Sequence, residues 1–283
     1  MPIAYRNVSF VYSAGSPFES AALRGIDCAI EPGSFLALVG RTGSGKSTMV
    51  QLLNALLVPT EGEVVVDEYV NSPDKKRRTK KLKGLRKKVG YVFQFPEYQL
   101  FLDTVEKDVA YGPKNFGATP EEALKKAHEA LGKVGLDSSF YERSPFALSG
   151  GEKRKVAMAG ILAMEPDVLV LDEPTAGLDP EASREMIALF KEINAQGTTI
   201  VLVSHDMDLV LECATRLIVL ENGKIVKDGD PSSLFEVDLE SYALEEPKVF
   251  AFVDALRKLG MSISPDGISN VETLAEKIKE AKK

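Results

Sequence analysis

The stretch Gly40–Thr48, reading GRTGSGKST, constrains this chain more than any other. It follows the apolar run Phe35–Val39, which suits a buried strand, and precedes Met49–Leu53, which suits a helix. A strand-to-helix turn is the setting a phosphate-binding loop requires. Gly40, Gly43 and Gly45 let the backbone wrap an anion, while amide N–H groups and the helix dipole supply positive potential. The loop as a whole, with Arg41, Thr42, Ser44 and Thr48, is therefore expected to bind nucleotide phosphates. Lys46 would reach the β- and γ-phosphates, and Ser47 would ligate magnesium.

With 283 residues, 44% of them hydrophobic, the chain can bury a proper core, as one large domain with an appendage or as two lobes. A net charge of −7 argues against general nucleic-acid binding. Cys28 and Cys213 are too few for a disulfide framework and lie among apolar neighbours, so they read as reduced core thiols of a cytoplasmic protein. No apolar run approaches eighteen residues, and MPIAYRNVSF lacks the layout of a signal peptide. The expectation is a chain neither secreted nor membrane-spanning by itself, yet free to dock on a membrane protein.

Ile3–Val11 and Leu23–Ile30 read as strands ahead of the loop, forming an antiparallel edge sheet beside the nucleotide. Tyr12 ends the first of them and either stacks on an adenine ring or closes the sheet edge. Glu63–Asp67 reads as a short strand, the basic run Lys75–Lys88 as a solvated face or mobile loop, and Val89–Phe93 as a strand leading to Gln94. Residues 95–102 are apolar and aromatic, and are either core or a groove for a partner. Pro120–Val134 carries Ala123, Ala127, Ala130 and Leu131 at helix spacing, with His128 on its surface.

Ser149, Gly150, Gly151 and Glu152 open a helix running to about Met164 with the spacing of a capping box. Glycines in a first turn cost helicity, and what they offer in return is naked N–H groups for an anion. Val168–Leu171 suits a buried parallel strand and ends in Asp172 and Glu173, where adjacent acids are costly without a cation. Asp172 would hold the magnesium shell and Glu173 would polarise water. His205 follows the strand Thr199–Val203 on the same edge, placed to contact a terminal phosphate. Helices are expected at Glu181–Ala195 and from Asp206 to Cys213, and a hairpin joins Arg216–Leu220 to Lys224–Lys227 through Asn222-Gly223. Pro247–Leu259 and Asn270–Lys282 read as short amphipathic helices that need a partner surface, on their own body or on another subunit.

With the loop, Gln94, LSGGE, LVLDEP, GLD and Ser204-His205 in this order, residues 1–230 resemble the ATP-binding cassette (ABC) ATPases. VGYVFQFPEYQLF, TVEKDVAYGP and LSGGEKRKVAMAGILAMEPDVLVLDEPTAGLDP look like an ATPase subunit of an energy-coupling factor importer for vitamins or metal ions. The text after Gln94 is closer to the second of that system's two ATPase paralogues. The resemblance implies an α/β fold: a P-loop NTPase RecA-like core, an antiparallel β subdomain, a helical subdomain at about 95–165, and a small helical extension at 236–283 beyond a nucleotide-binding domain at 1–235. It also implies ATP and Mg²⁺ as ligands, and residence at the cytoplasmic face of the cell membrane.

By position, the resemblance implies that Tyr12 stacks the adenine and that Gln94 links magnesium and attacking water to the transporter contact. Glu173 would be the general base, and His205 would hold the γ-phosphate. Ser149, Gly150 and Gly151 would touch the ATP of the opposite subunit, and Asp179 would belong to the loop crossing the dimer seam. The implied partners are a second, paralogous ABC ATPase in a heterodimer, a transmembrane coupling subunit and a substrate-binding membrane subunit, with no nucleic acid. Residues near 95–102 would form the groove for a coupling helix, and the C-terminal extension would stabilise pairing. Glu152 departs from the family's usual Gln, although a capping box tolerates either. Alternatives are a conventional ABC transporter ATPase or a soluble cassette acting on DNA or ribosomes. A kinase or GTPase is disfavoured by LSGGE and by the lack of an Asn-Lys-x-Asp box.

Overall fold

The computed structural model describes residues 2–232, 242, 244–264 and 267–281. Strands β1 (Ile3–Tyr12), β2 (Ser20–Ile30), β4 (Glu61–Val66) and β5 (Tyr69–Asn71) form an antiparallel sheet in the order β2-β1-β4-β5. A second sheet runs β10-β9-β3-β8-β7-β6, built from β3 (Phe35–Val39), β6 (Val89–Val92), β7 (Val168–Asp172), β8 (Thr199–Val203), β9 (Arg216–Glu221) and β10 (Lys224–Gly229). All of its pairings are parallel except the β9–β10 hairpin at the edge.

The apolar runs are continuous because this sheet is covered on both faces. Phe35, Ala37 and Val39 face a helical layer, whereas Leu36 and Leu38 face the antiparallel sheet and helix α1 (Lys46–Leu53). The helical layer includes α3 (Val105–Asn115), α4 (Pro120–Lys133), α5 (Gly150–Leu162), α6 (Pro180–Ala195) and α7 (Met207–Cys213). The remaining helices are α2 (Leu82–Lys88), α8 (Lys248–Lys258) and α9 (Val271–Ala281).

The expected elements form, with ends shifted by a few residues. The basic run is a largely solvated face, and its second half is helical rather than a loop. In α2, Leu85 is buried, and Arg86 donates to the carbonyls of Asn54 and Ala55 at the C-terminal end of α1. Arg77 lies 2.7 Å from Glu63, and Lys88 pairs with Asp67. Helix α3 lacks a side-chain cap and holds Pro113. Its first amides are satisfied from a distance, Val105 N–H by Arg143 O and Glu106 N–H by Tyr141 O.

His128 is half-buried, stacked on Tyr141 at 4.0 Å with Nε2 3.0 Å from Glu106. Cys28 and Cys213 are free and buried, which pushes their thiols up to about 11 and about 12. In the extension, Val249, Phe250, Val253 and Leu274 join the same apolar cluster as Met207 and Val210, so the described part packs on its own body. The expected boundary at 235/236 and the expected helix end at Lys282 lie outside the described residues. Among the described residues, no helix is long and apolar enough to cross a membrane.

Candidate nucleotide site

Four parallel strands deliver the candidate residues to one edge of the sheet, since β3, β6, β7 and β8 run in register and end together. Beyond β3 comes the glycine-rich loop, beyond β6 Gln94, at the end of β7 Asp172 and Glu173, and beyond β8 His205. Such a carboxyl edge is where open α/β sheets bind ligands. A cleft of about 610 Å³ opens there, walled on the loop side by Thr42, Gly43, Gly45, Lys46, Ser47 and Thr48. Tyr12, Gln94, Asp172, Glu173 and His205 line the rest.

At two positions the loop is packed to the point where only glycine fits. A Cβ on Gly40 (φ 138°) would stand 2.1 Å from Leu220 O, and one on Gly45 (φ 108°) 2.5 Å from Ala22 O. Lys46 Nζ donates to the loop carbonyls of Gly40 at 2.7 Å and Arg41 at 3.0 Å, and burial lowers its pKa against the pull of Glu173 and Asp172. Ser44 Oγ is buried without a hydrogen-bond partner. Left-handed glycines at Gly40, Gly43 and Gly45, with Lys46 Nζ held against the loop, fit a phosphate-binding loop.

At the other wall, Tyr91 donates its hydroxyl to Asp172 Oδ2 at 2.8 Å. Burial raises the pKa of Asp172, opposed by hydrogen bonds from Tyr91 and Ser47. Hydroxyl and carboxylate oxygens, one of them short of solvation, fit a hard divalent cation. Glu173 holds φ 51°, a left-handed value that costs a non-glycine residue about 1–3 kcal/mol. Its N–H donates to Val203 O at 2.9 Å, and its Oε2 lies 2.8 Å from His205 Nδ1. Tyr12 presents its ring edge-on to Phe10 and its hydroxyl 3.0 Å from Thr48 Oγ1.

Ser149, Gly150, Gly151 and Asp179 do not line this cleft. The capping box is present: Glu152 N–H donates to Ser149 Oγ, and Ser149 N–H to Glu152 Oε2 at 2.8 Å. These bonds hold the Glu152 carboxyl below its ordinary range. The space beside Gly150 and Gly151 is open. Asp179 caps α6, accepting from the amides of Glu181 and Ala182 at 2.9 Å. Residues 95–102 are only partly core. Pro96 is buried in a 3₁₀ turn, while Tyr98 and Phe101 are exposed.

Residues 23–176 match the family described as ABC transporter. The sequence is 53% identical over 265 residues to the energy-coupling factor transporter ATP-binding protein EcfA2 of Streptococcus pneumoniae serotype 2 (strain D39), covering 93% of this chain and 94% of the other. The chain belongs to the energy-coupling factor branch of the ABC transporter ATP-binding proteins. Two solved structures of ABC proteins share the fold. CbiO1 of Clostridium perfringens, part of the ABC transporter complex cbiONQ, superposes with a TM-score of 0.73 at 34% identity, over 89% of this chain and 98% of that one. The post-hydrolysis dimer of the ATP-binding cassette MJ0796 with ADP and Pi gives 0.71 at 32%, over 81% and 98%.

Sequence reading passed over two residues that the ABC fold brings to this edge. Tyr91 reads as one more apolar position of a buried strand, and Arg154 as one more charge in a basic helix. The available signal was a hydroxyl, or a guanidinium, on the buried side of an element, where either needs partners.

Proposed function

We propose that the chain is the ATP-hydrolysing subunit of an energy-coupling factor importer for vitamins or transition-metal ions, held at the cytoplasmic face of the membrane. The observation that carries this reading is the convergence of the loop, Asp172, Glu173 and His205 on one cleft, in a chain of this family.

The chemistry is in-line attack of water on the γ-phosphate. Gly40–Thr48 wraps the phosphates, and Lys46 exchanges the carbonyls of Gly40 and Arg41 for phosphate oxygens. Glu173 takes the proton of the attacking water, His205 steadies the γ-phosphate and Tyr12 meets the adenine. Ser47, Asp172 and Gln94, which line the cleft, would hold magnesium, and the ion would supply neutralisation of the phosphate charge.

Ser149, Gly150, Gly151 and Asp179 stand outside their own cleft, which supports a role in closing the site of another ATPase. We take that ATPase to be a paralogue, so that the working pair is a heterodimer. A transmembrane coupling subunit would engage the exposed aromatic side chains near 95–102, and a separate membrane subunit would choose the substrate. The domain division is part of the same reading: a nucleotide-binding domain through about 235 and an extension beyond it.

Purifying the tagged chain from membranes tests the proposal. It should bring with it a paralogous ATPase and integral membrane subunits, and the complex should hydrolyse ATP. Recovery of ribosomes or DNA alone would contradict it.

A further inference from the structure

Arg154, early in α5, is 4% exposed, and its guanidinium has five N–H donors to satisfy. It makes five hydrogen bonds. A fork grips Glu97, with Nε 3.3 Å from Oε2 and Nη2 3.2 Å from Oε1. Nη2 also donates to Gln94 O at 3.4 Å, and Nη1 donates to Ala176 O at 2.7 Å and Pro174 O at 3.4 Å. One side chain thus joins three segments distant in sequence: the helix that begins at Ser149, the turn after Gln94, and the loop between Glu173 and Asp179.

Stability alone is a poor reason for this arrangement. A buried ion pair is often no more stabilising than apolar groups of the same volume. What a guanidinium adds is a rigid fork that fixes several acceptors relative to one another. A lysine could satisfy some of these acceptors but not all of them in one plane.

We propose that Arg154 is a positioning residue that makes these three segments move as one. Resting on the function proposed above, the inference assigns it the step between transporter contact and chemistry. Displacement of the Gln94–Gln99 turn by a membrane partner passes through Glu97 and the Gln94 carbonyl to Arg154. From there it reaches Pro174 and Ala176, and with them the loop that carries Glu173 and Asp179.

The test compares wild type, Arg154→Lys, Arg154→Gln and Glu97→Gln in the assembled membrane complex, reading kcat and KM for ATP, alongside ATP affinity of the isolated chain. The expected result is that both Arg154 variants lower kcat of the complex at least tenfold, while KM and the ATP Kd of the isolated chain stay within threefold. Glu97→Gln should lower kcat in the same direction, and combining it with Arg154→Gln should add less than the product of the two effects. Wild-type kcat in Arg154→Gln or in Glu97→Gln overturns the inference, as does a loss that falls equally on KM and Kd. Should Arg154→Gln fail to fold, Glu97→Gln decides by the same criteria. A wild-type complex without ATPase activity would refute the proposed function instead.

Discussion

His205 Nδ1 stands 2.8 Å from Glu173 Oε2, so the two side chains that face the terminal phosphate in the proposed mechanism hold each other in this structure. The hydrogen bond raises the pKa of His205 above the ordinary histidine value of about 6.5. Because the folded value is the raised one, the pair contributes its full stability below the unfolded pKa and loses it as pH rises through the folded pKa. The imidazole is largely exposed, so solvent keeps that contribution small. An NMR titration should place the His205 midpoint above 6.5 in the wild-type chain and closer to 6.5 in Glu173→Gln. A midpoint that does not move on that substitution would remove Glu173 as the cause.

Tyr91 supplies a second, less visible support. Its hydroxyl reaches Asp172 from a strand interior, and a hydrogen bond to a charged acceptor is worth about 1.5–3 kcal/mol. Tyr91→Phe should lose roughly that much unfolding free energy in urea and need more magnesium for half-maximal ATPase activity. An unchanged magnesium requirement would confine Tyr91 to packing.

Ser149 separates helix capping from catalysis. Ser149→Ala should cost about 1 kcal/mol of stability through the lost cap. Nucleotide affinity of the isolated chain should change by less than about twofold, because Ser149 does not line its own cleft. Turnover of the assembled complex should fall by about a hundredfold, the scale of removing one donor to a transition-state oxyanion. Weakened ATP binding by the isolated chain, in step with turnover, would argue against a contact across subunits.

What the sequence reveals of this fold follows from how local the physics is. Gly40–Thr48 is legible because turn chemistry, a buried strand and a helix start meet within a dozen residues. The hairpin at Asn222-Gly223 and the capping box at Ser149 and Glu152 are short-range as well. Helix α3 is not legible in the same way, since its first amides are answered by Arg143 and Tyr141 and its interior holds a proline. The charge run at 75–88 hides α2 because Leu82 and Leu85 are its only apolar markers, while the carbonyls that receive Arg86 belong to α1. Within the site, the loop, Asp172, Glu173 and His205 could be read from motif and strand ends. Tyr91 and Arg154 could not, because their roles are set by partners tens of residues away.

The most direct measurement is ATP turnover by Glu173→Gln in the assembled complex, with nucleotide affinity measured on the same preparation. The proposed mechanism predicts ATP affinity close to wild type and loss of most turnover, because Glu173 acts on the attacking water and not on the bound nucleotide. Wild-type turnover in that variant would contradict it.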